Sequence, residues 1–180
     1  ESLDLTGIFV EEIKKNAEDF LLQLQDIAYQ QSDEDKERKR KVGRRGERLS
    51  KKLEERDLSR KVIPHYIYDN LKGYDIEVEG STGTPTKFIE VKSTNDPIAS
   101  ATAEISRGQI DAARDVLNLP NKEYIFHFWS FYKEKKYLAK VTAEEIIPYF
   151  SEETAWNVLR KQGIHLNRFK EKFQEVDISG

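Results

Sequence analysis

The stretch "KFIEVKS", residues 87–93, constrains this chain more than any other part of it. It is rich in β-branched and aromatic residues, which suits a strand. Side chains alternate across a strand, so Glu90 and Lys92 share one face while Ile89 and Val91 share the other. A second strand-like run, "GYDIEV" at residues 73–78, lies just upstream, and fourteen residues separate its Asp75 from Glu90. The connection "STGTPT" carries turn residues, so the two runs are expected to form an antiparallel hairpin. A fold that buries this hairpin also buries three charges, which is costly unless they pair or bind something.

The rest of the chain sets the frame. With 180 residues it has the length of one domain with an ample core. Hydrophobic residues make up 37% and charged residues 35%, the balance of a soluble globular protein with a polar surface. No apolar run approaches the roughly 20 residues of a membrane-spanning helix, and the start has no signal-peptide pattern. Cysteine is absent, so disulfides and thiolate metal sites are excluded, and a cytoplasmic location is expected. The chain begins at Glu1 and has no methionine, and it reads as a segment of a longer protein.

Charge is distributed unevenly. Residues 1–35 hold ten acids against two lysines, while residues 36–61 hold thirteen Lys or Arg against five acids. The basic block "KERKRKVGRRGERLSKKLEERDLSRK" has the charge of a phosphate-backbone footprint. It also fits a solvated helix whose bases pair with local acids, including those of the preceding "SDEDKE". Charge alone leaves both readings open.

Residues 6–30 place Ile8, Phe9, Ile13, Phe20, Leu21 and Leu24 at spacings of three and four, which predicts an amphipathic helix. A second helix is expected from Val42 to Leu58 with Leu49 and Leu53 inward. "VIPHYIYDN" reads as extended or irregular, because Pro64 cannot sit in a central strand. After the hairpin, "ATAEI" predicts a short strand, and "SRGQIDAARDVLNL" a helix capped by Ser106. "EYIFHFWSFY" and "KYLAKVT" predict strands, the first apolar on both faces and therefore buried. Thr142 and Ser151 are candidate caps of short helices, and "NRFKEKFQEV" reads as a last helix. The expected fold is mixed α/β, with a central mixed sheet flanked by helices and helical additions at both ends. The expected divisions are an extension over 1–35, a core over 36–145 and a C-terminal addition over 146–180.

Asp75, Glu90 and Lys92 suggest a chemistry. Carboxylates brought together on adjacent strands repel and raise one another's pKa, and a hard divalent cation resolves that conflict. Mg²⁺ takes one or two carboxylates, several waters and phosphate oxygens, and the Val91 carbonyl is a further oxygen beside them. The competing reading is an exposed hairpin face with a Glu–Lys neighbour pair and an unrelated Asp. "GSTGTPTK" lacks the Gly-Lys-Ser/Thr ending of a phosphate loop. His127 and the two tryptophans, Trp129 and Trp156, read as core.

This set of residues resembles the PD-(D/E)xK nuclease superfamily, whose restriction-endonuclease-like fold carries its Asp on the second core strand and E-x-K on the third. Glu47 in "GRRGERLSKKLEE" stands on the preceding helix, and Gln109 in "ISRGQIDAAR" opens the following one, as in many members. More narrowly, Val42 to Val141 is similar to the domain named for the C-terminal part of the plant protein NO VEIN, which occurs attached to bacterial helicases and defence proteins. Tyr74 replaces the proline of "PD", and nothing matches over 1–35 or 145–180. The resemblance implies a Mg²⁺- or Mn²⁺-dependent DNA endonuclease module of a larger restriction or phage-defence protein, linked to a helicase or ATPase. In it Asp75, Glu90, Val91 and Glu47 hold metal, Lys92 positions water and Gln109 orients substrate or water. Arg38, Arg40, Arg44, Arg45 and Arg48 are the expected phosphate contacts. The alternatives are a non-cleaving nucleic-acid-binding or assembly module on the same fold, and an interaction domain docking its N-terminal stripe on a partner or a second copy, as a homodimer.

Overall fold

The hairpin is the centre of the structure. The computed structural model describes residues 33–56, 60–65, 72–150 and 161–178, and the chain divides into two units, Glu1–Arg40 and Lys41–Gly180. In the first unit residues 33–40 are helical. Their charges pair along the helix: Lys36–Asp33 at 3.2 Å, Arg38–Asp35 at 2.9 Å and Arg40–Glu37 at 2.6 Å. The expected amphipathic helix of residues 6–30 and the Ser151 cap lie outside the described residues.

The second unit opens with helix α1, residues 41–54. Strands β1 (Lys61–Pro64), β2 (Ile76–Glu79), β3 (Pro85–Thr94), β4 (Thr102–Ser106), helix α2 (Arg107–Leu117), β5 (Glu123–Ser130), β6 (Tyr137–Thr142), α3 (Ala143–Ile146), β7 (Lys161–His165) and β8 (Gln174–Glu175) follow. Six strands form one sheet in the order β1-β2-β3-β5-β6-β8, and β4 and β7 form a separate pair. Only β3 and β5 run parallel; every other pairing in the large sheet is antiparallel, so the sheet is mixed. A parallel neighbour needs a long crossover, and β4 with α2 supplies it. Pro64 closes β1 at the sheet edge, where its missing N–H costs nothing.

The alternation read from "KFIEVKS" holds, and it separates two cores. Ile76, Val78, Ile89, Val91 and Trp129 line one face, with Val42, Leu49 and Leu53 of α1 packed on them. Phe88, Phe126 and Phe128 line the other, beneath Ile110, Ala113 and Val116 of α2 and Ile146 of α3. Strand β5 is apolar on both faces because it lies inside the sheet between β3 and β6. Ser106 caps α2 reciprocally with Gln109, whose backbone N–H donates to the Ser106 hydroxyl while its amide oxygen accepts from the Ser106 N–H.

The C-terminal segment differs from the expected helix. Leu166–Lys172 is 3₁₀-helical, broken at Phe169, and the chain then pairs as β8 on the outer edge of β6. Leu166 and Phe169 are buried against the second core, so apolar residues spaced for a helix serve a tighter turn. Lys161–Gly163, expected at the end of a helix, instead enters strand β7, because β4 offers it an open edge.

Phe128 is fully buried and stacks on Phe126 at 6.0 Å and Phe169 at 5.8 Å. Phe128→Ala is expected to cost about 3–5 kcal/mol, read as a lower urea midpoint at unchanged slope. A loss under about 1 kcal/mol would mean that the core closes over the gap.

Candidate active site

Two carboxylates and one ammonium, those of Asp75, Glu90 and Lys92, meet where β2 begins. Asp75 stands just before β2, whose Ile76 pairs with Ile89, so it lies beside the Ile89–Val91 stretch of β3. Ahead of Asp75 the chain turns at Gly73, whose φ of 75° favours glycine. A Cβ there would also lie 2.8 Å from Ala112 and 2.9 Å from the Gly108 carbonyl of α2. The Tyr124 hydroxyl donates to the Gly73 carbonyl. The Asp75 N–H donates to the Ile89 carbonyl at 2.8 Å and its carbonyl accepts from His65 at 2.7 Å, so Asp75 is fixed on both sides.

Each carboxylate is held by one oxygen. Asp75 Oδ2 accepts from the Val91 N–H at 2.8 Å. Glu90 Oε1 accepts from Lys92 Nζ at 2.9 Å and from the Gln109 amide. Gln109 cannot swing away, because its own oxygen is used in the helix cap. Among the described residues these contacts involve Asp75 Oδ2 and Glu90 Oε1, not Oδ1 or Oε2. The N–H and C=O of one strand residue point to the same strand edge, so the Val91 carbonyl faces the edge where its N–H meets Asp75.

The electrostatics follow from burial. Glu90 is 3% exposed, and desolvation, then the charge of Asp75, pushes its carboxyl up to about 8 against the pull of Lys92. Burial also raises Asp75, opposed by the Val91 N–H and Lys92. Glu47 on α1 is pushed up to about 7 by desolvation and then by Asp75, while Arg44, Arg48 and Lys92 pull it down. Glu47, Asp75 and Glu90 are therefore one electrostatic group. Burial and the charges of Glu90 and Asp75 likewise push Tyr124 above its ordinary range.

Asp75, Glu90, Val91, Lys92 and Gln109 come together directly, and Glu47 joins them through its charge. Among the described residues, no three His, Cys, Asp or Glu side chains converge as a ready set of metal ligands. The donor chemistry nevertheless suits a hard cation. Asp75 and Glu90 each have a second oxygen outside these contacts, a backbone carbonyl lies at the same edge, and a bound positive charge would relieve their repulsion. The arginines divide. Arg44 and Arg48 are exposed beside Glu47, Arg45 lies over the Phe131 ring at 4.1 Å, and Arg38 and Arg40 pair with Asp35 and Glu37 in the first unit.

Other polar groups were less visible in the sequence. Glu54, which sits inside the basic block, is buried and holds Lys87 at 3.0 Å and Lys140 at 3.1 Å. Burial alone would raise its carboxyl, but the two lysines outweigh it and lower it. His127 is fully buried with Nδ1 3.0 Å from Ser50 Oγ, a core residue as expected. His65 and Tyr74 both reach Glu77 Oε2 at 3.2 Å. Except for Tyr74–Glu77, these pairs join residues distant in sequence, and no local spacing announces them.

An α/β domain whose mixed sheet buries an acid–lysine cluster beside its parallel strand pair is thus defined by its own geometry. The family described as protein NO VEIN, C-terminal, matches residues 46–141, and the chain belongs to it. No curated protein and no solved structure matches. No helix among the described residues is long and apolar enough to cross a membrane.

Raised carboxyl pKa values make stability depend on pH. Folding raises Glu90 from 4.5 to about 8, so between these values the folded state binds more protons than the unfolded state. The sign is then fixed: stability is greatest below about pH 4.5 for this group and falls as pH rises towards 8. In EDTA the loss should be on the order of a few kcal/mol. Glu90→Gln should flatten the trend in thermal melts across this range, and an unchanged slope would show that Glu90 is not the titrating group.

Proposed function

We propose that this domain is a metal-dependent endonuclease on a restriction-endonuclease-like core of the PD-(D/E)xK type, hydrolysing DNA phosphodiester bonds as a module of a larger restriction or phage-defence protein in the cytoplasm. The observation that carries the reading is the convergence of half-buried Asp75 on the buried Glu90 beside Lys92. A scaffold gains nothing from converging carboxylates whose pKa values burial raises, whereas a phosphodiesterase uses them.

In this reading Asp75, Glu90 and the Val91 carbonyl hold Mg²⁺ or Mn²⁺, with Glu47 assisting through water. When bound, the ion supplies Lewis acidity at a phosphate oxygen. Lys92, anchored on Glu90 Oε1, presents its remaining N–H groups to the attacking water and to the charge that grows on phosphorus. Gln109 keeps Glu90 in one rotamer and so fixes which carboxylate oxygen is offered. Water adds its oxygen to phosphorus as the bond to the departing sugar oxygen breaks; the attacking water gives up a proton to solvent, and the departing oxygen takes one up from solvent. Arg44 and Arg48, exposed next to Glu47, meet the flanking phosphates, which position a duplex without reading its sequence. Arg45 serves the fold by capping Phe131.

Plasmid cleavage with Mg²⁺, Mn²⁺ or EDTA tests the reading. Lys92→Ala is expected to reduce cleavage by at least about two orders of magnitude while leaving DNA binding intact. Cation-dependent cleavage that survives Lys92→Ala would remove the assigned mechanism. Binding without cleavage in any metal would leave the non-cleaving module on the same fold.

The arginines are tested with metal withheld. Reversing Arg44 and Arg48 to Glu should weaken binding to unrelated duplexes equally and lower the salt slope by about two phosphate contacts. An unaltered slope would move the DNA-binding surface elsewhere, and Arg38 and Arg40, paired as they are, would be tested next.

A further inference from the structure

Helix α1 docks on the sheet through an unusual ridge. Gly46, Ser50 and Glu54 repeat at a spacing of four, and all three are buried. Apolar residues are the ordinary choice for such positions. Gly46 allows close approach: a Cβ there would lie 1.9 Å from Ser93 Oγ and 3.1 Å from Trp129. Ser93 and Trp129 are partners in the β3–β5 pairing, and Ser93 directly follows Lys92.

One turn on, Ser50 Oγ accepts from Trp129 Nε1 at 2.8 Å and meets His127 Nδ1 at 3.0 Å. The indole N–H is only a donor. If the hydroxyl proton goes to Nδ1, the imidazole proton is on Nε2, which faces Glu54 Oε1 at 3.8 Å. At the next turn Glu54 joins Lys87 of β3 and Lys140 of β6. The ridge therefore engages β3, β5 and β6 through the close approach at Gly46 and four polar contacts, two from Ser50 and two from Glu54. An apolar ridge tolerates sliding along its sheet; this one does not.

We propose that Gly46, Ser50 and Glu54 are positioning residues that fix the height of α1 over the sheet and so deliver Glu47, next to Gly46, to the Asp75–Glu90 site. The inference rests on the cation reading of that site. Its substance is that the ridge acts on cation binding through Glu47 alone.

Mn²⁺ alone is the probe, titrated calorimetrically into the full chain, with thermal melts on every variant. Gly46→Ala should weaken Mn²⁺ binding roughly tenfold, the scale on which residues supporting a ligand act. Ser93→Ala added to it should recover most of the loss by removing the atom nearest the new methyl group. In a Glu47→Gln background Gly46→Ala should have no further effect, since its route to the ion is gone. Ser50→Ala, which adds no bulk, repeats the cycle should Gly46→Ala fail to fold. Losses that add to that of Glu47→Gln, or wild-type affinity in Gly46→Ala, overturn the inference while an Asp75-dependent Mn²⁺ site stands. Absence of Mn²⁺ binding in the wild type, or binding indifferent to Asp75→Asn, overturns the cation reading and the inference with it.

Discussion

A carboxylate on an inner strand, almost wholly removed from water, governs this structure. Glu90 sits on β3 between β2 and β5, where an apolar residue would pack without cost. Left ionised and unpartnered, such a group would be expensive to bury. The fold answers with Lys92 and the Gln109 amide on one oxygen. Each partner is constrained by something else: Lys92 by strand alternation, Gln109 by the cap of α2. The crossover from β3 to β5 must therefore place the N-terminus of α2 within reach of Glu90. Topology and charge are solved by the same segment.

The two faces of the sheet divide the labour. The face under α2 carries Glu90 and Lys92 in the row of Phe88 and Phe126, and burial pushes the Glu90 carboxyl up to about 8. The face under α1 carries Glu54 with Lys87 and Lys140, a carboxylate whose cations outweigh its burial and keep it ionised. Two buried glutamates in one small domain thus have opposite protonation tendencies, set by the number of cations each one meets. That contrast distinguishes a pair that holds a helix from a pair that can exchange a proton or an ion.

Much of this was legible in the sequence, and for definable reasons. Local alternation revealed the β2–β3 hairpin and the shared face of Glu90 and Lys92, because period two is a property of the chain itself. Ser106 as a cap was likewise readable from a single residue, while Pro64 excluded only a central strand and left its segment extended or irregular. The C-terminal segment was not: Phe169 and Phe173 repeat at four, yet a 3₁₀ turn and an edge pairing satisfy them equally. The partners of Glu54 were also hidden. Lys87 and Lys140 come from strands that only the parallel crossover brings together, so Glu54 read as one more charge in a basic helix. The spacing Gly46-Ser50-Glu54 was present as a signal, but its meaning depends on Ser93 and Trp129 beneath it.

The extent of the family match fits this division. It begins at Gly46 and ends at Val141, so it spans β1 to β6 short of its last residue. It contains Glu47, Asp75, Glu90, Val91, Lys92 and Gln109, together with Ser50 and Glu54. Arg38, Arg40, Arg44 and Arg45 lie outside it, as do β7 and β8. Those two strands cover the free edges of β4 and β6, and an uncovered edge invites pairing with other chains. The matched segment is therefore the part that places charges, and the segment after it closes the edges that placing them left open. A helix that must seat Glu47 at one height needs its ridge inside the same segment as the strands it grips, and Gly46, Ser50 and Glu54 are inside it.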